Sequence, residues 1–171
     1  IVPFIEDGTI TGISTSGVRA EIGQAISEGK LAKPAMIRSH GGRVRAIETG
    51  EVHIDVAFIG APTSDELGNA KGTGGKSDCG VLAYSAVDAR YADKVVVITD
   101  TLVPVPNLPA SIPGIDVDYV VVVDQIGNPR KIASAVLRMT QDPRELMIAE
   151  YATKCVVHAP YFKDGFSFQT G

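Results

Sequence analysis

The sequence predicts an α/β fold: a mainly parallel sheet flanked by helices, of the Rossmann-like kind. Three observations predict it. Short runs of β-branched and aliphatic residues at 56–59, 95–99 and 119–123 alternate with segments of helical spacing. These runs are continuously apolar, as strands covered on both faces are. Loops rich in glycine, serine or proline follow the strands, and such sheets hold ligands beyond the carboxyl ends of strands.

Taken in order, residues 1–5 are apolar and reach a turn signal at Glu6-Asp7-Gly8. Residues 9–16 read as a short strand entering a loop. Val18, Ile22, Ala25 and Ile26 repeat at helical spacing, with Ser16 as the expected cap and Gly29 as the C-terminal stop. Residues 34–38 read as a buried strand. The stretch Ser39-His40-Gly41-Gly42-Arg43 then reads as a glycine turn into a second, alternating strand at 44–48. Residues 51–60 begin polar and end as a strand. Residues 61–75 lack a regular pattern, and a helix is expected over 77–90, weakened by Gly80. Residues 95–99 form the next strand. Four prolines (104, 106, 109 and 113) make 101–114 a loop or extended arm. Residues 119–123 are a buried strand, and 131–138 a short helix. Asp142-Pro143-Arg144-Glu145 is the clearest helix start, with Asp142 as N-cap, Pro143 at N1 and Glu145 completing a capping box. That helix should run to about residue 154, burying Leu146, Ile148, Ala149 and Ala152. Residues 155–158 return to strand.

The 171 residues suffice for one core, so 1–171 is read as a single α/β domain. A hydrophobic share of 44% and a charged share of 21% are those of an ordinary globular chain. The net charge of -4, from 16 basic and 20 acidic residues, argues against nucleic acid or an anionic membrane as partner. No apolar run is long enough to cross a bilayer, and no signal segment opens the chain. Cys79 and Cys155 lack metal spacing and read as free, buried thiols in a reducing compartment, hence a cytoplasmic protein. The chain starts on Ile1 and stops at Gln169-Thr170-Gly171, where a glycine turn is expected to begin; it is read as a fragment.

Candidate chemistry gathers in two loops. In the first, Arg43 suits a bidentate carboxylate contact. Ser39 and His40 can fix a carboxylate, and the N–H groups of Gly41 and Gly42 can face an oxyanion. The second is Gly72-Thr73-Gly74-Gly75-Lys76-Ser77, which misses the phosphate-loop pattern because Ala70 replaces the first glycine and the strand ends too far upstream. It reads instead as a cradle of N–H groups for another anion or a thioester carbonyl. Asn69 between glycine-flanked neighbours is a candidate donor to substrate. Asp65 and Glu66 are weaker candidates for a general base. His53 reads as structural, and His158 as able to reach the same edge. The histidines have no metal spacing, and no G-x-S-x-G elbow is present.

Several stretches together resemble a known family. They are Ser39-His40-Gly41-Gly42-Arg43-Val44, Asp55-Val56-Ala57-Phe58, Asp65-Glu66-Leu67-Gly68-Asn69-Ala70, Arg138-Met139-Thr140 with Pro143-Arg144-Glu145-Leu146, and the run from Tyr161-Phe162-Lys163-Asp164-Gly165-Phe166 to Gly171. In order and spacing they resemble the α chain of citrate lyase, its citrate CoA-transferase component. The resemblance implies a CoA-transferase-like fold and a chain about three times longer with two similar halves, of which this would be most of the first. It implies exchange of acetyl for citrate on a thioester, giving citryl thioester and acetate through an acyl anhydride. The CoA-like thioester would belong to an acyl-carrier subunit, with no cofactor held tightly by this chain and no metal. Citrate, the carrier and a citryl lyase subunit would be partners in a hetero-oligomer, and this piece alone would be inactive. His40 and Arg43 would be catalytic. Ser39, Gly41, Gly42 and Asn69 would bind substrate, and Gly72, Thr73, Gly74 and Gly75 the thioester. Another CoA transferase or acyl-CoA hydrolase of the same fold, or a non-catalytic assembly module, are the alternatives.

Overall fold

The computed structural model describes residues 1–132 and 140–167. The chain divides into two compact units, Ile1–Ser134 and Ala135–Gly171. No helix among the described residues is long and apolar enough to cross a membrane.

In the larger unit the organising layer is a three-stranded parallel sheet. Strand β3 (Ile54–Ala61) pairs with β6 (Ala92–Thr99), and β6 with β7 (Tyr119–Val122), giving the order β3-β6-β7. The parallel sheet expected from the apolar runs is present. Two-face coverage is not. Ala57, Ile59, Ala61, Val95 and Val97 are buried against helix α4 (Ala83–Tyr91), while Val56 and Phe58, on the other face of β3, are exposed. Three residues of β7 are exposed as well, where a buried strand was expected. Helix α4 is shorter than the expected 77–90, because residues 72–80 are held as a loop by Cys79 and Gly80 N–H groups donating to the Gly72 carbonyl.

Before the sheet come α1 (Val2–Glu6), β1 (Ser14–Thr15), α2 (Ala20–Ser27), β2 (Met36–Ile37) and α3 (His40–Glu48). Strands β1 and β2 pair in parallel, but β2 is exposed rather than buried. Helix α2 has Arg19, not Ser16, at its N-cap position, and Gly29 follows its end at φ 75° as expected. Helix α3 corrects the largest misreading. Residues 40–48 are helical, not a glycine turn and a strand. Ser39 is the N-cap, its Oγ accepting from Gly42 N at 3.1 Å. A Cβ on Gly42 would stand 2.9 Å from that Oγ, so the small residue lets the cap close. Ala46 and Ile47 anchor the helix in the interior.

Beyond β3 and β6 the chain builds a cap on the carboxyl edge of the sheet. Strands β4 (Thr63–Ser64) and β5 (Ala70–Lys71) pair antiparallel. The proline-rich arm bridges to them at Ser64–Leu102 and Ala70–Ile112. That arm carries cis peptides before Pro106 and Pro109.

The smaller unit is helix α5 (Pro143–Val157) with a short tail. Asp142 caps it, its Oδ1 accepting from Arg144 N at 2.8 Å. Glu145 does not close a reciprocal box; it accepts from the Thr140 hydroxyl, whose oxygen takes Asp142 N. The helix runs through the expected strand at 155–158: His158 is its C-cap, and its Nδ1 hydrogen-bonds the Lys154 carbonyl at 2.7 Å. Leu146 and Ile148 are exposed, against expectation. Both cysteines are free, but exposed rather than buried. Phe162 and Phe166 meet edge-on at 5.6 Å. Most of the helix expected over 131–138, the Arg138-Met139 block, and residues 168–171 lie outside the described residues; Pro129–Lys131 form a single 3-10 turn.

Candidate functional site

The carboxyl edge of the sheet holds the glycine loop. Gly72 and Gly75 are glycines for steric reasons: a Cβ would stand 1.7 Å from the Gly80 carbonyl oxygen at 72 and 2.1 Å from the Pro62 carbonyl oxygen at 75. Gly74 takes φ 86°, in the left-handed region. The Thr63 hydroxyl donates to the Thr73 carbonyl at 2.9 Å, and Gly75 N donates to Asp78 Oδ1 at 3.0 Å. So the Gly75 N–H is taken internally. The N–H groups of Thr73 and Gly74 have no acceptor among the described residues, and both residues are exposed. This narrows the expected four-residue cradle to one outward pair of donors. Clefts of about 420 and 280 Å³ lie on either side, and Lys71 lines both.

Two buried aspartates hold the loops under this pair. Asp65 accepts from Leu67 N, Asn69 N, Asn69 Nδ2 and Asn107 N, all within 3.0 Å. Burial pushes its pKa up, but these hydrogen bonds outweigh that and hold it below the ordinary value. It is a structural anion, not a general base. Asn69 is likewise engaged: its amide donates to Asp65 and its Oδ1 accepts from Gly114 N at 3.0 Å. Asn69, expected as a donor to substrate, thus serves the loop frame with one of its two amide N–H groups. Asp100, at the end of β6, accepts from Ser77 Oγ at 2.8 Å, Ile126 N at 3.2 Å and Thr101 Oγ1 at 3.2 Å. Burial raises its pKa; the three hydrogen bonds and the Lys76 charge bring it down, below the ordinary value. Cys79 goes the other way: partial burial of the sulfur and then the Asp78 charge push the thiol up, which disfavours a thiolate nucleophile.

His40 and Arg43 share the first turn of α3 and the same neighbour. The His40 ring meets Tyr84 edge-on at 5.2 Å, and the Arg43 guanidinium lies 5.7 Å from the Tyr84 ring centroid. Tyr84 opens α4, and Leu82 just before it packs beside Gly72. The two loops singled out in the sequence are thus joined through the start of α4. Arg43 is not free for a substrate, however. Its Nη2 donates to Asp88 Oδ2 at 3.1 Å, and Nη1 lies 2.9 Å from Oδ1 at an angle too poor for a second hydrogen bond. The expected carboxylate anchor is a strut between α3 and α4. Ser39 Oγ serves as the helix cap, and Gly42 N is its donor, leaving His40 and Gly41 as the outward groups of that turn.

His40 lines a cleft of about 940 Å³, with residues 12–19 forming much of its wall. Arg19 lies there and escaped the sequence reading. The available signal was a Ser/Thr/Gly loop between a short strand and a helix, with a cation at the helix start. His53 sits at the opposite, amino end of β3. Its Nε2 is 3.0 Å from Asp93 Oδ2, and with Asp55 these exposed groups are close enough to share a metal ion. His158 belongs to the smaller unit.

The sequence matches, over residues 1–171, the family described as "Citrate lyase, alpha subunit (CitF)". Citrate lyase alpha chains of Klebsiella pneumoniae and Escherichia coli (strain K12) are 51% and 50% identical to it over all 171 residues. The match covers 34% of each, so the chain spans about a third of the length of these relatives. A crystal structure of the α subunit of citrate lyase from Streptococcus mutans, in complex with citrate, superposes with a TM-score of 0.95 at 59% identity, over 99% of this chain and 33% of that one. The α subunit of a malonate decarboxylase from Acinetobacter baumannii superposes with a TM-score of 0.53 at 28% identity, over 72% of this chain and 23% of that one.

Proposed function

This chain belongs to the citrate lyase α-subunit family, and we propose that its glycine loop is part of a transferase site that exchanges acetyl for citrate on an acyl-carrier thioester. The observation that carries the reading is the outward N–H pair of Thr73 and Gly74, at the carboxyl edge of the parallel sheet. A thioester carbonyl attacked by a carboxylate develops an oxyanion, and two fixed donors suit it. One citrate carboxylate oxygen attacks the acetyl carbonyl carbon; the C–S bond breaks and the carrier thiolate leaves. The thiolate then attacks the citryl carbonyl of the mixed anhydride, and acetate leaves. Atoms and charge balance without a metal, a redox partner or a glutamyl-enzyme.

The substrate is carried over from the Streptococcus mutans relative, described in complex with citrate. The thioester belongs to a CoA-like group on an acyl-carrier subunit, and a citryl lyase subunit consumes the product in a cytoplasmic hetero-oligomer. Lys71, lining both clefts beside the loop, supplies positive potential for anionic substrates.

The test is exchange of labelled acetyl thioester with citrate by the complex containing the full-length subunit. Gly74→Ala places a side chain at φ 86°, disturbing the donor pair, and losing one such donor costs about 10²–10³-fold in kcat. We expect a fall in kcat of at least tenfold with the complex still assembled. An unchanged kcat would remove the loop from the chemistry. The 171 residues by themselves should give no measurable exchange; substantial turnover would refute the view that the site needs the rest of the subunit.

A further inference from the structure

We infer that the cleft between residues 12–19 and His40 seats the polycarboxylate, with Arg19 as its anchoring cation. The identity of the anion rests on the exchange reading above; the existence of an anion site does not.

The cleft has a volume of about 940 Å³, within the size range of small-molecule sites. The charge on its wall is of one sign. Ser14, Thr15, Ser16, Arg19 and His40 supply its polar side chains, and no aspartate or glutamate among the described residues lines it. The rest of the wall is largely aliphatic, so the polar groups it does carry, one guanidinium and no carboxylate among the described residues, favour an anion with an otherwise apolar surround. The donors are spread along the cleft rather than focused on one point. That spacing suits a ligand with several carboxylates.

The three arginines nearby divide clearly. Arg43 is tied to Asp88. Arg38 donates to Glu51 Oε1 at 2.5 Å and to Ser14 Oγ at 3.1 Å. The Arg19 side chain has no hydrogen-bond or ion-pair partner among the described residues, its carbonyl alone accepting from Gly23 N, and Arg19 lines the cleft. A free guanidinium is the side chain best matched to a carboxylate, because its planar fork meets both oxygens. Arg38 adds a second effect. Its N–H occupies a lone pair of the Ser14 oxygen, which leaves the Ser14 hydroxyl proton for an acceptor in the cleft. The His40 ring also lines the cleft and meets Tyr84 edge-on; its nitrogens have no hydrogen-bond partner among the described residues, which leaves them for a second carboxylate. Arg19 thus takes the role that the sequence reading gave to Arg43.

The experiment uses the full-length subunit in its complex, with Arg19→Ala and Arg19→Lys. Citrate binding is measured by calorimetry with no thioester present, and exchange kinetics separately. Arg19→Ala should weaken citrate binding about tenfold to a hundredfold, the loss of charge-assisted hydrogen bonds. Arg19→Lys should keep part of the affinity, because the charge stays and the fork is lost. The KM for the thioester should not move. Unchanged citrate affinity in Arg19→Ala overturns the assignment. So does a change confined to the thioester KM, which would seat the carrier arm here instead. If Arg19→Ala does not fold, arginine modification of the unsubstituted complex by phenylglyoxal decides: citrate should protect the peptide bearing Arg19, and no protection overturns the assignment. Citrate binding that depends on Arg19 without any acetyl exchange would sink the proposed reaction and leave the site standing.

Discussion

Asp65→Asn changes one oxygen to an NH2 group and should remove a large part of the folding stability. The Asp65 side chain is fully buried. Its Oδ1 accepts from Leu67 N at 3.0 Å and Asn69 N at 2.9 Å, and its Oδ2 from Asn69 Nδ2 and Asn107 N, each at 2.8 Å. An asparagine can keep one pair of these bonds through its carbonyl oxygen. Its NH2 group then points at the donors of the other pair, and flipping the amide only exchanges which pair is lost. Two hydrogen bonds to a charged acceptor, at about 1.5–3 kcal/mol each, give a loss of about 3–6 kcal/mol. Domains are stable by only about 5–15 kcal/mol, so much of the native population is at stake. Urea unfolding followed by circular dichroism measures it. Glu66→Gln, at the exposed neighbour, is the control and should stay within about 0.5 kcal/mol of the parent. A loss below about 1 kcal/mol for Asp65→Asn, with an unchanged m-value, would refute the argument that this carboxylate is the central tie of the loops.

Acid should act through the same groups. Asp65 and Asp100 both have folded pKa values below the ordinary 3.8. Their stabilisation is therefore fully present above the unfolded value and is lost as pH falls through the folded values. The urea midpoint should fall steeply below about pH 4, and Asp100→Asn should flatten that fall; an acid limb unchanged by the substitution would contradict it. The glycines should also separate by position. Gly72→Ala meets the Gly80 carbonyl oxygen at 1.7 Å, and such overpacking costs about 1–3 kcal/mol. Gly41→Ala meets nothing within 4 Å, and as a helical position should gain about 0.5–1 kcal/mol. A destabilising Gly41→Ala in thermal unfolding would revive the turn that the helix replaced.

What was legible in the sequence was local. The apolar runs of β3 and β6 and the Asp142-Pro143 start of α5 each carry their signal within a few residues. The stretch from Ser39 to Arg43 was misread because two adjacent glycines outweighed the serine before them. Yet Ser39 and Gly42 have the i, i+3 spacing of an N-cap, and the second glycine is small because the cap oxygen sits where its Cβ would be. The strand expected over 155–158 rested on the β propensity of two valines, which the continuing helix overrode. Arg43 could not be read correctly in any local window: its partner Asp88 lies 45 residues away. The same distance problem hid Arg19, whose meaning depends on a cleft closed by a residue of α3.

The two buried aspartates connect these misreadings to one physical design. An acidic group beneath a proposed site for anions looks counterproductive. Here each carboxylate is surrounded by the donors of its own loops: four on Asp65 and three on Asp100. That cancels much of its field toward the outside and fixes the backbone above it. The internal donors are thereby satisfied, including the Asn69 amide that the sequence offered to a substrate. What remains unpaired in hydrogen bonds, among the described residues, is the Thr73–Gly74 pair of N–H groups and the side chains of Arg19 and His40. Residues that look most chemical in the sequence hold the frame, and backbone N–H groups together with an arginine that the sequence did not single out are left without partners among the described residues.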